Sequence, residues 1–184
     1  MVTGEPGSGK TTLGHRLSTT LRVPFLSRDH VRGGLLATGG LWTDQLREPS
    51  TRDAALEAFV QVVETVGRLG ITAIIEFVVT PERVHGLRRI EAVARCLVIH
   101  TTSTTAAARA DERDLRDPLL SRREVLDALE YESIEHYVSD PERARLRAAM
   151  LTDFEFPTLR VATDDGYDPP LEQIVDWLID HTGS

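Results

Sequence analysis

Apolar positions along the chain follow two alternating rhythms. Short runs, continuous or of period two, predict strands over residues 24–27, 71–78, 95–101 and 158–162. Between them the spacing turns helical: Leu13, Leu17 and Leu21; then Leu56, Phe59, Val60, Val63 and Val66; then Leu171, Ile174, Val175, Leu178 and Ile179. Helix starts are marked by Ser50 or Thr51 before Asp53, by Thr80-Pro81-Glu82 and by Asp140-Pro141-Glu142. Each offers a cap, a proline or an acid where a helix N-terminus favours it. Strand and helix in alternation predict βαβ units, that is, a parallel sheet with helices on both faces and ligands beyond the carboxyl ends of the strands. No repeat, low-complexity tract or linker interrupts the pattern, so residues 1–184 read as a single domain.

Ahead of the first helical stripe, Gly4-Glu5-Pro6-Gly7-Ser8-Gly9-Lys10-Thr11 matches G-x-x-x-x-G-K-[ST], a P-loop, with Thr12 continuing into the helix. Glycines allow successive N–H groups to point inward around a phosphate, and the helix N-terminus adds its dipole. Lys10 then reaches the β- and γ-phosphates, and the Thr11 hydroxyl meets Mg²⁺. ATP and Mg²⁺ are the ligands this pattern predicts. Only Met1, Val2 and Thr3 precede the turn, few for the central strand of such a fold, so we expect the native start to lie several residues upstream of Met1.

Composition sharpens this reading. Of 21 basic residues only Lys10 is a lysine. Arginine presents a wide planar fork and lysine a compact ammonium on a flexible stem, so the sole lysine marks a place where the swap is not tolerated. A net charge of −8 and a pI near 5.2 exclude a nucleic acid as the main partner and make any anion site local. The one cysteine, Cys96, lies in an apolar run and reads as a core residue in a reducing cytoplasm. No apolar run approaches the length of about 20 residues that spans a bilayer, so no membrane partner is expected. The chain has no asparagine. That removes the Asn-Lys-x-Asp base-reading motif of guanine-selective GTPases and the metal-binding asparagine of protein kinases. The adenylate-kinase pattern Asp-Gly-aromatic-Pro-Arg is missing too, since Glu76-Phe77-Val78-Val79-Thr80 stands in its place.

What remains resembles the small-molecule kinase branch of P-loop proteins, the group of chloramphenicol phosphotransferase, gluconate kinase-like enzymes and zeta-toxin-like kinases. The resemblance rests on the P-loop, on Ser27-Arg28-Asp29-His30, on Gly40-Leu41-Trp42-Thr43 and on Ile75-Glu76. It continues through the segment from Arg109 to Arg116-Asp117-Pro118 and through Thr163-Asp164-Asp165-Gly166-Tyr167-Asp168-Pro169. It implies a three-layer P-loop NTPase fold with a five-stranded parallel sheet, an acceptor region near 28–50 and a small helical lid near 104–124. It also implies transfer of the γ-phosphate of ATP to a hydroxyl of a small molecule.

The resemblance implies that Asp29, at the carboxyl end of a second strand expected next to the P-loop strand, orients or deprotonates the acceptor; the alternative is an N-cap for a helix beginning near His30. Glu76 either holds a Mg²⁺-bound water or assists Asp29, or forms a structural ion pair. Arg109, Arg113 and Arg116 share one helical face, with Arg122 and Arg123 beyond. In the resembled kinases such arginines cover adenine and neutralise the moving phosphoryl group; the alternative is a solvated helix paired to Asp111, Glu112 and Asp114. Thr163 and Asp164 would lie against adenine, and His30, Arg32 and Trp42 fall in the acceptor region. His85 and His136 lack partners at ligand spacing, so no zinc site is expected. Two rival readings are a nucleotide-dependent ATPase or regulatory module without acceptor, and a zeta-toxin-like kinase of nucleotide sugars. Acceptor identity and oligomeric state stay open.

Overall fold

A computed structural model describes residues 1–39, 49–116 and 131–182. The expected segments 40–43, residues 117–118, Trp42, Arg122, Arg123 and the side chain of Arg116 lie outside what is described. In chain order the elements are β1 (Val2–Gly4), α1 (Lys10–Leu21), β2 (Phe25–Ser27), α2 (Arg28–Gly39), α3 (Pro49–Arg68) and β3 (Ile74–Glu76). A 3₁₀ turn (Pro81–Arg83) leads into α4 (Val84–Glu91), β4 (Val98–Thr102) and α5 (Ala106–Arg116). After these come α6 (Ile134–Ser139), α7 (Pro141–Asp153), β5 (Thr158–Ala162) and α8 (Leu171–Thr182).

The five strands form one parallel sheet in the order β2-β3-β1-β4-β5. The fold class read from the sequence is therefore the one observed, but one premise is corrected. The second strand does not neighbour the P-loop strand; β3 lies between them, with Ser27 and Val2 both in register with Glu76. The carboxylate nearest the P-loop in sheet order is thus Glu76, and β2 with Asp29 beyond it is at the sheet edge.

Successive strand residues point to opposite faces, and the core follows that alternation. Val2, Ile74 and Ile99 pack with Leu13 and Leu17 of α1 and with Ile174 and Leu178 of α8. Their neighbours Met1, Ile75 and Val98 pack on the other face with Phe59, Val60 and Val63 of α3 and with Leu87 and Ile90 of α4. Cys96 belongs to this second layer. The three residues of β1 and Met1 before them are all buried, and the Met1 amine donates to Leu97 O at 2.6 Å.

Boundaries moved where backbone chemistry overrode apolarity. Residues 71–73 read as strand, yet Gly70 adopts φ 68° and the Ile71 N–H returns 3.1 Å to Val66 O, a helix exit that leaves Ile71 46% exposed. Ile179, expected in the core, is 55% exposed at the end of its helix. α3 starts at Pro49, earlier than Ser50 or Thr51 would have it, because proline suits the first helical position. The start at residue 140 is as expected: Asp140 Oδ1 accepts from Glu142 N at 2.8 Å, with Pro141 opening α7.

Candidate active site

The P-loop joins β1 to α1. Gly9 precedes the helix at φ 77°, and neither a side-chain cap nor an acid occupies the first turn of α1, which leaves its N–H groups free to meet an anion. Gly7 is required twice over: its φ is 76°, and a Cβ there would run into the Ala106 carbonyl at the start of α5. Hydroxyls fix the loop from beneath. Ser8 Oγ lies 2.7 Å from both Glu5 O and Thr101 Oγ1, and Thr101 Oγ1 donates to Thr3 O at 3.1 Å.

Lys10 is buried, and its Nζ donates to Glu5 O at 2.6 Å, across the concavity the loop encloses. Burial pushes its pKa down to about 8, against the pull of Glu76 and Glu5, with Arg113 and Arg147 lowering it further. Thr11 Oγ1 donates to Glu76 Oε2 at 3.0 Å. A hydroxyl and a carboxylate in contact beside a P-loop are hard oxygen donors of the kind Mg²⁺ takes, so these residues fit that ion. Burial also pushes the His100 imidazole on β4 down to about 4, helped by Arg147, Arg160 and Lys10, so it is neutral at pH 7.

Two further elements close on the loop. From α5, Arg109 donates to Thr163 O at 3.0 Å and to Asp164 O at 3.1 Å. Asp164 Oδ1 accepts from Ser103 Oγ at 2.8 Å and Thr104 N at 2.9 Å, which hold its carboxyl below the usual range. Thr163 Oγ1 in turn donates to Ser8 O at 3.1 Å. Arg109, Thr163 and Asp164 are therefore brought together against the P-loop. Arg113 pairs with Asp114 at 3.1 Å, and its Nε is buried with no hydrogen-bond partner among the described residues. From α7, Arg147 forms an ion pair with Glu5 of the P-loop. Sequence reasoning missed Arg147, because spacing gives no sign of which arginine returns to a loop 142 positions earlier. A pocket beyond β3 is lined by Val79, Thr80, Pro81, Arg143, Leu146 and Arg147.

Asp29 follows β2, on the far side of β3 from the P-loop strand. It lies inside the first turn of α2, which begins at Arg28 rather than near His30, and pairs with Arg28 at 3.3 Å. His30 forms a ring cluster with His15 and Phe25. Among the described residues no group of three or more His, Cys, Asp or Glu gathers at metal-binding distance, and no helix is long and apolar enough to cross a membrane.

Solved structures share the fold. A candidate kinase from Chloroflexus aurantiacus superposes with a TM-score of 0.68 at 19% identity, covering 99% of this chain and 94% of that one. Shikimate kinase from Acinetobacter baumannii, in complex with shikimate, gives 0.57 at 14% identity with coverages of 98% and 90%. A sugar kinase from Janibacter sp. gives 0.53 at 14% identity with coverages of 97% and 90%. No curated protein sequence matches the chain. The family comparison does: residues 1–132, which carry the P-loop, Glu76 and the clasp of α5, match the AAA domain family AAA_33, and the chain belongs to it.

Proposed function

We propose that the protein is a kinase that transfers the γ-phosphate of ATP to a hydroxyl of a small molecule. The observation that carries this reading is the folded P-loop itself, with the sole lysine turned into the concavity and a hydroxyl–carboxylate pair, Thr11 and Glu76, at its rim. The kinases that share the fold support it as analogues.

In this reading the loop from Gly4 to Thr12, except Pro6 which has no N–H, supplies backbone donors to the phosphates, and Lys10 swings from Glu5 O to the β- and γ-phosphates. Arg113, close enough to Lys10 to depress its pKa, adds positive charge where the phosphoryl group moves. Arg116 follows on the same helix and is assigned the same role from its position in the chain. Arg109 positions the loop at Thr163 and Asp164, which we assign to the adenine side. Thr11 and Glu76 would hold Mg²⁺, whose contribution is to neutralise charge on the phosphates. Asp29 would take the acceptor proton as the acceptor oxygen bonds to the γ-phosphorus and the bond to the β–γ bridging oxygen breaks, releasing ADP. Support for Asp29 is its place two residues past Ser27, which is in register with Glu76, and so at the same rim.

Calorimetry with MgATP, followed by a metabolite panel read by mass spectrometry for gain of one phosphoryl group, tests the proposal. Saturable ATP binding with one phosphorylated product is expected. Binding with slow hydrolysis and no acceptor across a broad panel would favour a regulatory ATPase instead.

A further inference from the structure

A carboxylate is an anomalous guest in a loop that receives a polyanion, yet Glu5 is the second residue of this P-loop. Its backbone is committed to the loop, since its carbonyl accepts from Lys10 Nζ, Ser8 Oγ and Ser8 N. The side chain therefore cannot retreat far from a bound triphosphate. It is also largely withdrawn from water at 18% exposure, where like charges repel more strongly than in bulk solvent.

Arg147 meets it there. The guanidinium is 5% exposed and donates from Nη1 to Glu5 Oε1, bridging α7 to the P-loop. Glu5 Oε2 and Arg147 Nε find no hydrogen-bond partner among the described residues, so the pair is incompletely satisfied. Such a pair is a poor device for stability, because desolvating two ions offsets most of their attraction. Its value lies elsewhere.

We propose that Arg147 is a positioning residue for nucleotide: it cancels the charge of Glu5, so that the positive field of Lys10 and Arg113 acts on the triphosphate undiminished. The inference rests on the nucleotide-binding reading above. Arg147 acts through Glu5 and need not touch phosphate. Because it also lines the pocket beyond β3, the bridge fixes that pocket wall to the loop.

A double-mutant cycle tests this, with the affinity for a non-hydrolysable MgATP analogue measured by calorimetry on the full chain. Thermal unfolding of each variant sets a temperature at which all are folded. Arg147→Met should weaken binding by about tenfold to a hundredfold, since it leaves an uncompensated anion in the loop. Glu5→Gln should bind at least as tightly as the parent. The double variant should regain most of the loss, which a merely structural or direct phosphate role for Arg147 would not produce. Parent-like binding by Arg147→Met, or a double variant as weak as Arg147→Met, would overturn the proposal. Where Arg147→Met alone does not fold, the double variant decides: affinity near the parent's upholds it and loss of affinity overturns it. No binding by the parent protein would bring down the nucleotide reading first, and this inference with it.

Discussion

Lys10 holds its ammonium buried, bonded to the Glu5 carbonyl, and burial is why its pKa falls to about 8. An unfolded lysine titrates near 10.4, so between these values the unfolded chain binds more protons and stability rises with pH. Below about pH 8 both states are charged and the burial penalty, roughly 2–4 kcal/mol, is fully present. Lys10→Met should therefore raise the melting temperature of the ligand-free protein at pH 7 and flatten its pH dependence above 8, while abolishing ATP binding. A triphosphate restores the charge, so ATP affinity should decline as pH rises past about 8, with uptake of one proton measurable by calorimetry in buffers of different ionisation heat. Lower stability in Lys10→Met would contradict this account. Two carboxylates can be separated in the same way. Glu76→Gln should shift the magnesium dependence of ATP binding, because Thr11 loses its charged partner. Asp29→Asn should lower transfer by roughly two to four powers of ten with ATP affinity nearly unchanged. Near-normal transfer by Asp29→Asn would assign the proton to another group.

Among the elements, α5 braces the P-loop from outside its own strand and helix. Its first carbonyl fills the space a Cβ at Gly7 would need, and Arg109 on the next turn is fastened to the loop after β5. Gly7→Ala should thus lower stability by about 1–3 kcal/mol in urea unfolding, from positive-φ strain and displacement of Ala106, and weaken nucleotide binding with it. Hydrogen exchange across residues 104–116 should slow when ATP is added. Equal exchange with and without nucleotide would leave α5 as a solvated helix. The sequence made the helix itself legible, since the arginine spacing predicted a helical segment where α5 is found. It did not reveal that Arg109 is engaged with Thr163 and Asp164, because hydrogen bonds to backbone carbonyls leave no side-chain pattern to read. Strand ends failed for a related reason. Residues 71–73 fit the period of a strand, but the helix exit at Gly70 claims the N–H of Ile71.

At the scale of the molecule, the alternation of elements announced a parallel sheet, and Leu13, Leu17, Phe59 and Val60 announced its two apolar layers. Strand order was not legible, because βαβ crossovers of similar length permit β2 either beside β1 or one place away. That single ambiguity put β2, which Asp29 follows, at the edge of the sheet and Glu76 on the strand next to the P-loop strand. Strand order also puts His100 beside the P-loop strand, in register with Thr3. Its pKa near 4 lies below the unfolded value near 6.5, so the unfolded state binds more protons in that window and stability falls as pH drops through it. His100→Gln should reduce this acid sensitivity by roughly 1–3 kcal/mol between pH 6.5 and 4, read from urea midpoints across pH. An unchanged pH profile would mean other groups govern acid unfolding.

The contacts around Gly7, Arg109 and Thr163 form a closed triangle: the P-loop touches α5, α5 holds the loop after β5, and that loop holds Ser8. Each side is braced by the other two, although its corners are far apart in the chain. For anyone grafting segments between relatives, the three corners are one inheritable part. A chimera that exchanges residues 103–109 without residues 163–164 leaves the Asp164 carboxylate and the Thr163 carbonyl facing foreign partners, and the phosphate loop, the corner they brace, would be the first to lose its shape.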